Sequence, residues 1–156
     1  MARPINLIIL HHSASGWGDA TIIDRWHKER GFSKIGYHFV ILNGRRTGNG
    51  YREVDDGFLE CGRSLDEIGA HCKGYNRTSL GICLIGYGFF TFWQYHTLSD
   101  LLKTLLYQLS LPIDSIKGHK ELDPRNKPKC PGFDVDRLRN SLSKNDQTLS
   151  LIPSGL

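Results

Sequence analysis

Long hydrophobic runs are missing from this chain. The longest apolar stretch near its start, Ile5 to Leu10, is broken by Asn6 and preceded by a single basic residue, Arg3, too short and too weakly flanked for an export signal. No membrane span and no signal peptide are therefore expected. Close cysteine pairs are missing too. Cys61, Cys72, Cys83 and Cys130 contain no CxxC spacing, which argues against a four-cysteine structural zinc site, and without a secretory signal reduced thiols are the expected state. There is no basic stripe with interleaved aromatics, the usual mark of a nucleic-acid reader, although Lys117, Lys120, Arg125, Lys127 and Lys129 gather in one segment. A net charge of +4 attracts an anionic polymer such as the bacterial wall as readily as a nucleic acid, so charge does not choose between them. No internal repeat is present.

What the chain does have is the content of one soluble domain: 156 residues, 39% apolar and 23% charged. Ile5 to Leu10 reads as a buried strand, and if it continues, alternation turns His11 and His12 to opposite faces. Asp19 or Thr21 caps a helix running to about Arg30, with Ile22, Ile23 and Trp26 on one side, and Gly31 ends it. Tyr37 to Leu42 is a second strand, followed by the turn signal Asn43-Gly44 and an expected return strand from Arg45 to Gly48. Gly50 to Tyr75 is irregular and glycine-punctuated, the kind of long segment that tends to be functional. Leu80 to Ile85 is another buried strand; the aromatics Tyr87, Phe89, Phe90, Phe92, Trp93 and Tyr95 then read as a loop lying over the core.

Thr97 with Asp100 resembles a capping box opening a helix from Leu98 to Leu109, with Leu101, Leu102, Leu105, Leu106 and Leu109 inward and Pro112 as the stop. Ile113 to Lys117 makes a last short strand, and Asp134 caps a helix to about Ser143 with Val135, Leu138 and Leu142 buried. The tail from Lys144 to Leu156 lacks any period and is expected to be disordered, leaving residues 1–143 as the domain. Strands alternating with helices plus one hairpin give an α/β (α+β) single domain, a mixed central sheet flanked by about three helices.

The chemistry gathers at Gly118 to Asp134, where Pro124, Pro128 and Pro131 argue for a loop. That loop holds His119 and Cys130, and His11 at the end of the first strand supplies a third donor; His, His and Cys together suit zinc. Three protein ligands leave one tetrahedral position open, the geometry of a catalytic site in which water's pKa falls to roughly 7 and a carbonyl is polarised. Amide or ester hydrolysis is implied. The competing reading makes Cys130 a small core residue and His119 a surface or core histidine.

The segments LHHSA at His11, GYHF at Tyr37, AHCKGYN from Ala70, SLGICLIG from Ser79, GHKEL at His119 and KCPGFD at Cys130 are ordered as in a known family. Over roughly residues 5 to 142 the chain resembles the zinc-dependent N-acetylmuramoyl-L-alanine amidases, in the phage lysozyme (endolysin) form related to peptidoglycan recognition proteins. The resemblance implies His11, His119 and Cys130 as ligands of one zinc ion, and Tyr37 as a catalytic phenol beside the metal. It implies a catalytic lysine two residues before the last ligand. That position is Pro128 here, flanked by Lys127 and Lys129, and either lysine is a candidate. His71 and Asn76 match a segment that contacts substrate, while Glu121 and Asp123 are candidates to orient a ligand histidine. His12, His27, His38 and His96 are left as structural or surface residues. The implied protein is a monomeric endolysin that waits in the host cytoplasm, without stable membrane association, and then hydrolyses wall peptidoglycan. The rival readings are a peptidoglycan-binding module without catalysis, a regulatory protein that also binds the phage RNA polymerase, and a metal-dependent nuclease.

Overall fold

The computed structural model describes residues 3–144. Apart from Lys144, the expected tail therefore lies outside the described residues. Five strands form one mixed sheet: β1 (Leu7–His12), β2 (Phe39–Asn43), β3 (Asp56–Cys61), β4 (Ser79–Leu84) and β5 (Ile116–Gly118), in the order β3-β2-β4-β1-β5. β1 pairs in parallel with both β4 and β5, β2 pairs in parallel with β4, and only β3 runs antiparallel, along β2. A central parallel strand is covered on both sides, which is why β1 and β4 read as unbroken apolar runs.

The helices are α1 (Ala20–Glu29), α2 (Phe92–Gln108), the single turn α3 (His119–Leu122) and α4 (Val135–Ser143). Alternation divides the strand side chains between two cores. Ile8 and Leu10 of β1 join Leu80, Ile82 and Leu84 of β4 under Leu98, Leu102 and Leu105 of α2 and Val135 and Leu138 of α4. On the opposite face Val40, Leu42, Cys83 and Ile85 pack against Ile23 of α1. His11 has the parity of Ile9 and so shares that second face, in register with Cys83. No helix among the described residues is long and apolar enough to cross a membrane.

Asp19 caps α1 through the Ile22 amide, and Asp134 caps α4 through the Arg137 amide, as expected. Other expectations give way. No return strand forms at Arg45 to Gly48: the Arg45 amide donates to Asn43 Oδ1 in a local turn. The Arg46 guanidinium then turns inward to Asp19, Asp55 and Glu60, so the partner of β2 arrives only at β3, inside the segment read as irregular. The capping box of α2 is Thr91 with Gln94, not Thr97 with Asp100, so Phe92, Trp93 and Tyr95 belong to the helix; Thr97 instead donates its hydroxyl to the Gly57 carbonyl. The inward leucines are as expected: along α2 Leu102 and Leu105 are buried, and Leu101, Leu106 and the C-cap Leu109 are partly buried and packed against the same core. The Gly118 to Asp134 segment opens with α3 because its first proline comes only at Pro124.

Candidate metal centre and cleft

Three chain segments far apart in sequence bring His11, His119 and Cys130 together. His11 is the fifth residue of β1, His119 follows directly on β5, and Cys130 is tied back to α3 by the Lys120 amide donating to its carbonyl at 2.8 Å. All three are buried, and their donor atoms lie within 4.8 Å of one another. His11 Nδ1 stands 3.8 Å from Cys130 Sγ, and the His11 and His119 ring centres are 4.6 Å apart. Zinc bonds of about 2.0 to 2.3 Å place tetrahedral donors roughly 3.3 to 3.6 Å apart, so the group fits an ion after a small inward adjustment.

The protonation states suit ligation. Burial first, and then His71 and His119, hold the His11 ring well below its usual pKa of 6.5, while burial and then Lys127 bring His119 down to about 4. Both imidazoles thus keep a lone pair at neutral pH. Burial pushes the Cys130 thiol up to about 11, against a weaker downward pull from a backbone hydrogen bond and Lys127, so this group must give up a proton to bind a metal.

A cleft of about 550 Å³ opens over the group, with His119 and Cys130 in its wall together with Tyr37, His71, Asn76, Asp123 and Lys127. The Tyr37 ring lies 5.0 Å from that of His11. Burial first, then the Cys83 and Cys130 thiols, raise its hydroxyl well above the usual 10, so it stays a protonated donor. Lys127 faces the cleft, and Lys129, though exposed, is absent from the lining. His71 and Asn76 do reach the wall, but protein groups already engage them: Asn76 Oδ1 accepts the His71 and Cys72 amides, and His71 Nδ1 meets His11 Nε2 at 2.9 Å.

Glu121 orients no ligand imidazole. It accepts the Gly118 amide and an ion pair from Arg139 at 2.9 Å, whereas Asp123 lines the cleft near His119. His27 and His38 are structural: each accepts a backbone amide at its Nδ1, from Gly36 and Gly81 respectively. His12, turned to the other face of β1, sits with its Nδ1 against the Tyr87 carbonyl. Sequence reasoning passed over Trp26, Arg30 and Phe32, which α1 and the turn after it bring to the cleft wall. The apolar spacing places Trp26 with Ile22 and Ile23 on one side of the helix without pointing it to a site, and no local pattern marks Arg30 or Phe32 as facing one.

Residues 1–133 match the family model described as N-acetylmuramoyl-L-alanine amidase. The endolysin of Escherichia phage T7 is 35% identical over 136 residues, spanning 80% of this chain and 78% of that protein. Among solved structures, the N-acetylmuramoyl-L-alanine amidase LysC from Clostridium intestinale superposes with a TM-score of 0.75 at 28% identity, over 91% of this chain and 87% of that one. Drosophila PGRP-LB superposes with a TM-score of 0.66 at 24% identity, over 99% and 88% of the two chains, a likeness of fold alone. A match that begins ahead of the first strand and runs past Cys130, joined to this identity across four-fifths of the chain, means that the chain belongs to the N-acetylmuramoyl-L-alanine amidase family.

Proposed function

We propose that this enzyme hydrolyses the amide between the lactyl group of N-acetylmuramic acid and L-alanine of the peptidoglycan stem, and that His11, His119 and Cys130 hold one zinc ion for the purpose. The observation that carries this reading is the convergence of three buried donors beside an open cleft, with no fourth His, Cys, Asp or Glu completing the set among the described residues. An ion held there supplies Lewis acidity, polarising the scissile carbonyl and bringing the pKa of a water down to roughly 7.

The chain's own groups supply the rest. Tyr37, kept protonated, donates a hydrogen bond to the oxygen on which negative charge develops. Lys127 is the cation best placed to stabilise the same charge, because it alone of the two candidate lysines lines the cleft. Arg30 and Lys73 extend a positive lining toward the anionic polymer. The amine departs with the stem peptide.

In this reading residues 1–143 are the amidase domain. The endolysin relatives support a bacteriolytic role, in which the protein rests in the host cytoplasm until the membrane is breached and then attacks the wall. The regulatory reading draws on no residue of this site; capture with the cognate phage RNA polymerase tests it separately. Mass spectrometry of purified peptidoglycan incubated with the enzyme tests the amidase reading. Free stem peptides beginning at L-alanine should appear, vanish with a chelator and return with zinc; if none appears although zinc is bound, a binding module takes its place.

A further inference from the structure

The two ring nitrogens of His11 face different neighbours. Nδ1 looks toward Cys130 Sγ, and Nε2 lies 2.9 Å from His71 Nδ1. His71 Nε2 is 3.3 Å from Ser79 Oγ, and that hydroxyl donates to the Tyr75 carbonyl at 2.8 Å. The order of protons along this chain follows from its last link. A carbonyl oxygen carries no proton, so Ser79 donates to it and keeps its lone pairs to accept from His71 Nε2–H. A neutral imidazole has a single N–H, which makes His71 Nδ1 an acceptor and His11 Nε2 the donor. The lone pair of His11 is thereby confined to Nδ1, the atom beside Cys130.

The seat is shaped for this arrangement. His11 and Ser79 are 1% and 0% exposed, and His71 is held through its own amide by Asn76. A Cβ on Gly81 would stand 2.6 Å from His71 Cγ, and one on Gly69 2.5 Å from His71 Cδ2, so the ring packs against bare backbone of β4 on one side and of the loop before it on the other. Both ring nitrogens of His71 are thus engaged within the protein.

We propose that His71 and Ser79 are positioning residues that hold His11 as its Nε2–H tautomer and so present Nδ1 to the metal. The idea rests on the metal reading given above, but its first test needs no metal. Long-range 1H–15N spectra of metal-free protein labelled at histidine nitrogen report each tautomer near neutral pH, and both His11 and His71 should carry the proton on Nε2. Ser79→Ala removes the acceptor, so the two rings should populate the opposite tautomers, and zinc affinity measured by chelator competition should fall about 10-fold or more. Ser79→Thr keeps the hydroxyl and should restore both readings. A wild-type His11 protonated at Nδ1 overturns the proposal, as does a folded Ser79→Ala protein with unchanged tautomers and zinc affinity. Failure of the wild type to bind zinc would fell the metal reading instead, and the metal-free tautomer would still decide this one.

Discussion

At the residue scale, the division of labour among buried groups makes separable predictions. Cys130→Ser should lose zinc and peptide release together, because the third donor goes. Tyr37→Phe should keep its zinc, measured by metal analysis of the purified protein, while turnover falls on the order of 10²-fold, since only a hydrogen bond to developing charge is removed. A Tyr37→Phe enzyme as fast as the parent would remove the phenol from the mechanism. Lys127→Ala should cost a comparable factor and Lys129→Ala little, because only the former lines the cleft; equal losses would mean that the loop rearranges around substrate. The protonation states add a fourth expectation. With both ligand imidazoles neutral at pH 7 and the Cys130 thiol raised to about 11, zinc uptake should release the thiol proton alone. Zinc affinity should then rise about 10-fold per pH unit from neutrality upward, checked by calorimetry in buffers of different ionisation enthalpy.

At the scale of elements, the site depends on a one-turn helix too short to stand by itself. α3 carries His119, and its first turn is fixed by Glu121, which accepts the Gly118 amide and is gripped by Arg139 of α4 at 2.9 Å. Arg139 is 9% exposed and also donates to the Ile116 carbonyl at the start of β5. One side chain thus ties β5, α3 and α4 together. Arg139→Ala should lower stability by about 2 kcal/mol through its bonds to Glu121 and the Ile116 carbonyl, a figure held below that for a fully buried pair because Glu121 is partly exposed, with the largely exposed Asp136 adding nothing to it, and should weaken zinc binding as α3 loosens. Denaturant unfolding and chelator competition on one preparation check both effects.

At the scale of the whole molecule, burial of histidines couples folding to pH. In the metal-free fold His27 and His119 titrate near 4 and His71 near 3, in each case chiefly because burial disfavours the charged ring. An unfolded chain takes up these protons near 6.5. Below that pH the unfolded state binds more protons, so stability is full above 6.5 and falls as pH drops toward 4. Thermal unfolding of chelated protein across this range should show the decline, and a midpoint flat from pH 7 to 4.5 would contradict the neutral, buried rings.

Much of this molecule is written locally. The apolar runs of β1 and β4, the caps Asp19 and Asp134 and the opposed faces of His11 and His12 follow from alternation and capping chemistry, and short motifs mark His11, His119 and Cys130 as candidate donors; all of these act over a few residues. The misread parts depended on distant partners. Thr91 rather than Thr97 begins α2 because Thr91 reaches Asp56 and Thr97 reaches Gly57, and β3 finds β2 across a loop stapled by Arg46. The sequence by itself determined which donors are available; the tertiary structure alone decided which nitrogen of His11 faces Cys130, that His71 stands behind it, and that Lys127 rather than Lys129 enters the cleft. Those choices depend on contacts between residues tens of positions apart, and no periodicity or spacing along the chain encodes such distances.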